Sequence, residues 1–324
     1  MSTSPLPRWS RAHGEPIFSG AIRQENHDFQ VIEQLGWEPE GDGEHDYLWV
    51  EKIGANTEWV ARQLSAYAGV PTKDVGYSGL KDRHAITYQW FSVPRWHSPS
   101  WDSVDIEGVR VLRVERHLRK LRRGAHKQNA FVITLRSHEA IDHALVADRL
   151  AVIADCGVPN YFGEQRFGRN GSNFQLVESW ATGKRLPRHK RGLAISVARA
   201  YLFNEILSAR ATENTWDTLI AGDLANLDGS GSVFDVPELT EELRSRCEHM
   251  DIHPAGLLAG EGLDLGPQNW QQAFKNARVE PAPRSYRLRV EDLSHEFIDG
   301  GVVLRFTLAR GAYATSVLRE LCHW

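Results

Sequence analysis

The alternation of apolar and polar positions divides the amino-terminal part of the chain into short strands and amphipathic helices. Residues 29–33 and 47–53 are rich in β-branched and aromatic side chains, which favour strands. Over 56–70 the period changes to that of a helix with one apolar stripe. Asn56 is placed to cap this helix, and Gly69, followed by a proline, ends it. This part therefore mixes strands with helices.

The middle of the chain contains further elements and one region of different character. A strand is predicted over 129–135, and helices are predicted over 141–156 and 190–210. The glycine-rich stretch 223–266 predicts irregular structure. We expect four apolar residues of the 141–156 helix to face inward: Ile141, Leu145, Leu150 and Ile153.

Strand patterns return near the carboxyl terminus. Apolar residues alternate with arginines over 286–290, and a longer alternation covers 302–308. We expect both strands to rejoin the amino-terminal sheet, which would make that domain discontinuous along the chain. A domain boundary is expected near residue 157, where a Gly- and Asn-rich stretch begins.

Composition is typical of a globular protein with a sizeable core. The chain has 324 residues, of which 41% are hydrophobic, enough for one large or two ordinary domains. No apolar run approaches the roughly 20 residues that span a bilayer, and the start MSTSPLPRWS lacks the apolar core of a signal peptide. We therefore expect a cytoplasmic protein with no membrane association.

Cysteine and histidine positions favour neither disulfides nor a metal site. The three cysteines are widely spaced, which fits no disulfide framework and no Cys-x-x-Cys metal site. His249 and His253 have the spacing of a metal-binding pair, but a proline follows directly and no third ligand is evident. We expect no metal.

The net charge of −4 is unusual for a protein that binds nucleic acid, but the basic residues are concentrated in two blocks. A block of Arg and Lys can be a solvated face, yet on an acidic chain it also suits phosphate groups. The first block has Glu115 as its one acid; its basic residues are Arg110, Arg113, Arg116, Arg119, Lys120, Arg122, Arg123 and Lys127. The second block contains Lys184, Arg185, Arg188, Lys190 and Arg191.

The segment 76–93 places one carboxylate, Asp82, in a cationic turn at the entrance of a strand. Lys81, Arg83 and His84 surround it in sequence, and alternation from residue 86 predicts the strand. The neighbouring cations can keep the carboxylate ionised and can meet a phosphate beside it. The same residues could also form an ordinary solvated ion cluster. The residue types alone leave both interpretations open.

The order of residues in this turn resembles a known catalytic motif. Gly79-Leu80-Lys81-Asp82-Arg83-His84-Ala85, followed by Thr87 and Gln89, is similar to the motif of the TruD family of tRNA pseudouridine synthases, in which the Asp is catalytic. Four other segments resemble the family's remaining motifs in the family's order: 26–31, 124–131, 159–168 and 311–321. The resemblance implies that Asp82 is the nucleophile.

The resemblance also implies the fold, the substrate and the substrate-binding residues. The implied fold is α+β: a catalytic domain with a mixed, largely antiparallel sheet flanked by helices, formed by 1–156 plus 285–324, around an inserted α+β domain, 157–284. The implied reaction isomerises uridine 13 in the D arm of tRNA and needs no cofactor. Phe29, Phe131 and Tyr313 would contact the flipped base and Asn129 would read it.

Cationic residues near these motifs are candidates for phosphate contacts. Lys81 and Arg83 could hold the backbone of the flipped nucleotide. In the first basic block, we expect five residues to contact RNA phosphates: Arg119, Lys120, Arg122, Arg123 and Lys127. tRNA is the expected partner; no protein partner is evident, and we expect a monomer.

Two other functions use part of the same pattern. A glycoside or nucleoside hydrolase would also need an exposed Asp, with a second carboxylate as general acid, for which Glu164 and Asp28 are candidates. A non-catalytic RNA-binding module or RNA chaperone would need only the basic blocks, and Asp82 would then be incidental.

Overall fold

The computed structural model describes residues 6–97 and 99–324. The first five residues, part of the start for which no signal peptide is expected, lie outside the described residues. Its strands are β1 (Phe18–Ala21), β2 (Phe29–Gln34), β3 (His45–Ile53), β4 (Gly76–Tyr77), β5 (Ile86–Pro94), β6 (Val109–His117), β7 (Gln128–Ser137), β8 (Val158–Pro159), β9 (Leu224–Leu227), β10 (Val233–Asp235), β11 (Ile252–Leu258), β12 (Ala282–Ser285), β13 (Arg287–Leu288), β14 (Glu291–Ile298), β15 (Gly301–Ala309) and β16 (Cys322–His323). Its α-helices are α1 (Thr57–Ala68), α2 (His143–Cys156), α3 (Phe174–Ala181), α4 (Arg188–Thr212), α5 (Glu241–Glu248), α6 (Gln268–Asn276) and α7 (Ala314–Leu318).

The described chain divides into two units, and each is formed by separate stretches of sequence. The first unit contains 6–16, 151–289 and 312–321, and the second contains 17–150, 290–311 and 322–324. The expected division, with 157–284 inserted into 1–156 plus 285–324, differs from these units because 6–16 and 312–321 cluster with residues 151–289. The division into a catalytic and an inserted domain stays a prediction about function.

A large mixed sheet organises the second unit. Its strands lie in the order β14-β15-β7-β2-β5-β3-β6, with β1, β4 and β16 attached beside this path. Along the path β2 and β5 are parallel, whereas the other neighbouring strands are antiparallel. The prediction of an α+β fold with a mixed, largely antiparallel sheet is therefore confirmed.

Helix α1 covers part of this sheet for the reasons that its sequence indicates. The Asn56 side chain accepts a hydrogen bond from the backbone N–H of Trp59, which satisfies one free donor of the first turn. Gly69 ends the helix with φ of 66°, a left-handed conformation that glycine adopts without steric cost. Val60 and Leu64 are fully buried in the same core cluster as residues of β3 and β5.

The predicted strands of this unit are confirmed at both ends of the chain, with one exception. The predicted strands 29–33, 47–53 and 129–135 are present as β2, β3 and β7, and 302–308 is present within β15, which pairs with β7. The strand predicted over 286–290 is wrong. Only β13 forms there, and it pairs with β8 in the first unit.

Arg287 explains why this strand is short. Its side chain is buried, and its guanidinium donates to the carbonyl oxygens of Cys247 and Ile252 and to the ring of His253. An alternation pattern assumes that each arginine lies on a solvated face. Because Arg287 instead binds the first unit's interior, the segment belongs to that unit.

Helices and a small sheet form the first unit. Helices α3, α4 and α6 pack around a core that includes Phe167, Val197 and Phe274. The order β10-β9-β11-β12 makes a four-stranded antiparallel sheet. The expectation of irregular structure over 223–266 is therefore wrong: short strands and α5 lie between its glycine-containing turns.

The helix predicted over 141–156 is present as α2, but one of its inward positions is wrong. Leu145 is 47% exposed, whereas Val146, Leu150 and Ile153 are buried. The spacing of 146, 150 and 153 is that of one helix face, so Val146 takes the inward position expected for Leu145, while Ile141 is half-buried and lies before the helix begins.

The described residues contain no helix long and apolar enough to cross a bilayer. Across the same ranges, no group of three or more His, Cys, Asp or Glu is placed to hold a metal ion. His253 binds Asp228 and Arg287, while the ring of His249 binds the Ser245 carbonyl. Both rings are therefore used in structural hydrogen bonds.

Candidate active site

The turn that carries Asp82 is fixed by hydrogen bonds from three neighbouring elements. The Lys81 backbone N–H donates to the Thr57 hydroxyl at the start of α1, over 3.0 Å. The Gln89 amide of β5 donates to the Gly79 carbonyl, over 3.4 Å. Both anchors lie just before Asp82 in the chain and fix the backbone that carries it, as a positioned catalytic group would require.

Lys52 of β3 provides a third anchor from beneath the turn. Its side chain is fully buried, and its ammonium donates to the carbonyl oxygens of Ala55, over 2.7 Å, and Asp82, over 2.9 Å. Burial lowers the pKa of Lys52 to about 8, against the opposing effect of the Asp82 charge. The backbone of the Asp82 turn is thus held by a buried cation.

The Asp82 carboxylate is oriented on both oxygens. Arg23 donates to Oδ2 over 2.8 Å, and the His84 backbone N–H donates to Oδ1 over 3.3 Å. The Asp82 side chain remains 34% exposed, so one region of the carboxylate faces solvent. Arg23 has φ of 58°, a left-handed conformation that is uncommon outside glycine and that aims its guanidinium at this turn. The arrangement presents an oriented carboxylate to a ligand.

A row of aromatic rings begins at the same arginine. The Arg23 guanidinium lies over the Phe29 ring, 4.1 Å from its centroid. Phe29 meets Phe131 edge to face at 6.3 Å, and Phe131 stacks on Phe306 at 5.4 Å. Phe29 and Phe131 are both buried, so the structure brings these predicted residues together as packed rings beside the Asp82 partner.

Lys81, for which a phosphate contact is expected, has a protein partner in this structure, and the phosphate contact stays a prediction. Its ammonium binds the Glu33 carboxylate over 2.6 Å, and the two side chains are only 5% and 0% exposed. The other Glu33 oxygen accepts from the Trp90 backbone N–H. Burial raises the pKa of Glu33 in spite of the nearby ammonium. Lys81 therefore stabilises the base of the turn.

Asn129 lies opposite Glu33 in the β2–β7 pairing, on the same face as Phe131. Its side-chain oxygen is buried without a hydrogen-bond partner among the described residues. A buried amide in this state costs roughly 1–3 kcal/mol. An unused amide next to the turn is the kind of group that a uracil edge would satisfy.

The other cations predicted to contact phosphate in this unit differ in their surroundings. Arg83 is exposed, and its Nε donates to the Gly54 carbonyl over 3.1 Å. The first basic block joins the turn through Gly124, whose N–H donates to the Ser78 carbonyl over 2.7 Å. Among the five basic residues predicted to contact RNA phosphates, Arg119, Arg122 and Lys127 are exposed.

The other two basic residues are partly engaged. Lys120 is half-buried, and its ammonium donates to the Lys73 carbonyl. Arg123 is exposed, and its guanidinium lies 3.6 Å from the centroid of Tyr77. The predicted phosphate contacts are therefore a mixture of solvated and anchored side chains beside the Asp82 turn.

Tyr313 belongs to the first unit, where it forms a cluster of its own. Its hydroxyl accepts a hydrogen bond from Arg166 over 2.5 Å, and its ring lies 6.0 Å from Phe162. The Arg284 guanidinium lies over Phe162 at 4.0 Å, and burial lowers the pKa of Arg284 to about 10. Tyr313 is therefore held by an arginine and aromatic cluster.

Comparisons with known proteins agree with the resemblance in the sequence. The family model for TruD, tRNA pseudouridine synthase D, matches residues 11–180 and 177–321. The chain belongs to the TruD family. It is 42% identical to tRNA pseudouridine synthase D of Methylococcus capsulatus, over 96% of this chain and 93% of that protein. It is 43% identical to tRNA pseudouridine synthase D of Cellvibrio japonicus, over 96% of this chain and 91% of that one.

A solved structure extends the likeness to the fold. The crystal structure of TruD from Methanosarcina mazei matches with a TM-score of 0.70 and 18% identity, over 97% of this chain and 95% of that chain. At this identity the match concerns the fold alone. It agrees with the α+β architecture of the TruD family.

The carboxylates considered for a hydrolase have other uses in this TruD chain. Asp28 is fully buried and accepts hydrogen bonds from Arg136 and from the Glu25 backbone N–H. These bonds hold the pKa of Asp28 below its usual value, although burial alone would raise it. Glu164 is exposed in the first unit. Asp28 is thus a structural anion rather than a general acid.

Sequence reasoning missed Arg23, Glu33 and Lys52. The sequence does indicate that Lys52 is buried, because alternation places it on the same apolar face of its strand as Leu48 and Val50. Arg23 and Glu33 gave no comparable signal. Their partners at the turn are distant in sequence, and only the fold brings them together.

His126 gives a pH-dependent prediction for this site. Its ring is buried against the Ser78 hydroxyl, and burial, with Lys81 and Arg310 nearby, lowers the pKa of His126 to about 4. Because the pKa of His126 is lower in the folded state, the neutral ring contributes to the free energy of unfolding. This contribution is fully present above about pH 6.5 and is lost as the pH falls through about 4. The loss is on the order of 3 kcal/mol.

We therefore expect His126→Gln, which keeps an amide in place of the ring, to lose less stability than the wild type between pH 6.5 and 4. Urea unfolding at several pH values measures the difference. If the free energies of unfolding of the two proteins changed in parallel with pH, the prediction that the His126 ring is buried and neutral would be contradicted.

Proposed function

We propose that this protein is a tRNA pseudouridine synthase that isomerises uridine 13 in the D arm, with Asp82 as the nucleophile. The observation that carries the proposal is the Asp82 carboxylate, oriented by Arg23 on an anchored turn in a chain of the TruD family. Its relatives carry the name tRNA pseudouridine synthase D. The choice of position 13 rests on the resemblance of the motifs.

The chemistry is within reach of one carboxylate. Isomerisation breaks the bond between the ribose and a ring nitrogen and forms a bond between the ribose and a ring carbon. Substrate and product have the same composition, so the reaction is redox neutral. An aspartate can act by a covalent or a proton-transfer path. Arg23 orients the carboxylate in either case.

The substrate-binding roles follow the same proposal. Chemistry on a base requires that the base leave its stack, and the extruded base then needs aromatic contacts and a polar group that reads its edge. In the second unit, Phe29 and Phe131 supply rings and Asn129 supplies the amide. The base contact of Tyr313, a residue of the first unit, rests on the resemblance of its motif alone. Arg83 is the cation of the turn that remains exposed for a phosphate.

Pseudouridine mapping on unmodified tRNA transcripts tests the proposed function. Wild-type protein should form one pseudouridine at position 13, and a transcript with cytidine 13 should remain unmodified. Pseudouridine at another position would overturn the assignment of position 13 as the target. Tight binding without product would favour a non-catalytic RNA-binding module. Release of free uracil would instead indicate a hydrolase.

The first basic block gives a prediction for binding. We expect the combined change Arg119→Glu, Arg122→Glu and Arg123→Glu to weaken tRNA binding and to lower the salt slope by roughly two to three, because each lost phosphate contact removes about one counterion. Binding isotherms at several salt concentrations measure the slope.

A matched control reverses three exposed cations outside the block: Arg62→Glu, Arg244→Glu and Lys275→Glu. The control has the same net charge change and should keep the wild-type slope. If both variants lose the same slope, net charge and not the block governs binding.

We also propose that the protein acts in the cytoplasm, as a monomer without an obligate protein partner. Support comes from the tRNA substrate and from the absence of a possible membrane-spanning helix among the described residues. Light scattering at micromolar concentration tests the monomer, and a dimer mass would overturn it.

A further inference from the structure

A pocket of about 540 Å³ lies in the second unit where β2 ends. Its walls include three tryptophans and three charged residues: Trp37, Trp49, Trp90, Glu33, Glu38 and Arg113. The volume lies within the range of small-ligand sites, roughly 300–1,000 Å³. We call it the tryptophan pocket. The function proposed above does not use it.

The tryptophans form a partly open aromatic wall. Trp49 and Trp90 lie 5.2 Å apart between ring centroids, and Tyr88 stacks on Trp49 at 6.3 Å. Trp37 is 38% exposed although its ring packs on His117 at 4.8 Å. Large rings that are supported on one side and open on the other offer free π faces. Flat, conjugated ligands suit such a wall.

Charge on the neighbouring strand selects the kind of flat ligand. Strand β6 is an edge of the large sheet and carries Arg110, Arg113 and Arg116, whose side chains are exposed. Arg113 lies in the pocket wall and pairs with Glu38 over 3.5 Å and Glu115 over 2.8 Å. Aromatic platforms flanked by arginines are typical of single-stranded nucleic-acid sites.

Glu33 connects the wall of the tryptophan pocket to the Asp82 turn through hydrogen bonds. One Glu33 oxygen accepts from the Trp90 backbone, and the other binds Lys81, which precedes Asp82 in the turn. One buried carboxylate therefore links the pocket wall and the catalytic turn.

We infer that the tryptophan pocket binds an unpaired nucleobase of the RNA substrate by stacking it against Trp37 and Trp49, with Arg113 contacting the attached phosphate. The inference rests on the proposed function for the identity of the RNA. It adds a second base-binding site outside the aromatic row that begins at Phe29. Because every base has a π face, stacking alone tolerates different bases.

Substitution of the two more open tryptophans tests the inference. Trp37→Ala and Trp49→Ala should each weaken tRNA binding about ten-fold, the order of magnitude of one lost base stack. Trp37→Phe and Trp49→Phe keep a π face and should restore most of the affinity. Trp96→Ala is the matched control, since Trp96 is 61% exposed and lies outside the pocket wall, and it should bind as the wild type does.

Abasic substitution in the RNA separates stacking from folding defects. In synthetic substrates, each nucleotide near the target uridine is replaced in turn by an abasic one. One abasic position should weaken wild-type binding about ten-fold and should weaken the Trp37→Ala variant no further. If the losses add at every position, or if the pocket variants match Trp96→Ala, the inference is overturned.

The two proposals fail in different ways. If wild-type protein binds tRNA without forming pseudouridine, the proposed function fails, while the abasic series still reports on the pocket. If wild-type protein forms pseudouridine and the pocket variants bind and react as the wild type does, the pocket inference fails alone.

Discussion

Asp82→Asn should abolish pseudouridine formation, with a loss on the order of 10³-fold or more in single-turnover rate. The amide has nearly the same shape as the carboxylate, and its oxygen can still accept from Arg23, so the turn should keep its conformation. It cannot act as a nucleophile. Removing one small charge changes little in an interface dominated by phosphates, so tRNA affinity should stay within a few fold.

Quenched-flow measurement on unmodified transcripts, together with equilibrium binding, separates these two effects. Asp102→Asn is the control, because Asp102 is an exposed aspartate of the same unit outside the candidate site. A variant at position 82 that retains activity would remove the proposed mechanism. A variant that loses affinity and rate together would make Asp82 a binding residue.

Local pattern predicted the elements that position this site. Strands β2, β3 and β7 and helix α1 depend on short-range periodicity, capping and turn residues, all of which are visible in the sequence. The motif order placed Asp82, Phe29, Asn129 and Phe131, and the structure brings these four around one turn and its sheet. Their individual roles stay predictions.

Long-range partners could not be predicted. Lys81 was expected to contact phosphate, yet the fold places it against Glu33, from which two strands and a helix separate it along the chain. Arg23, rather than Lys81, is the cation that pairs with the Asp82 carboxylate. Whether a cation is solvated or paired depends on tertiary burial, which periodicity does not report.

The first unit shows the same limit in its backbone. Glycines over 223–266 predicted irregular structure, but several occupy turns between short strands. Strands β9 and β10, of four and three residues, give too few alternations to be recognised, and the seven residues of β11 do not alternate between buried and exposed positions. At Arg287 the error was the opposite, since a strand was predicted that is mostly absent. A buried arginine that binds carbonyl oxygens cannot be told from a solvated one in the sequence.

Lys52→Met should lower the turnover of tRNA about 10²-fold while leaving tRNA affinity nearly unchanged. The methionine fills a similar volume but cannot donate to the carbonyl oxygens of Ala55 and Asp82. The turn would then lose its anchor from beneath, and a shift of about 1 Å in a reacting group costs that much in rate. Lys275→Met, at an exposed lysine, is the control and should behave as the wild type does.

The pH dependence of the free energy of unfolding tests the state of Lys52 independently of turnover. Because burial lowers the pKa of Lys52 to about 8 from 10.5, its contribution is fully present above pH 10.5 and is lost as the pH falls through 8. The wild type should therefore gain about 3 kcal/mol relative to Lys52→Met between pH 8 and 10.5. Urea unfolding of both proteins across this range measures the gain. A constant difference would mean that Lys52 is not held as a buried, destabilised cation, and unchanged turnover would mean that the turn does not depend on it.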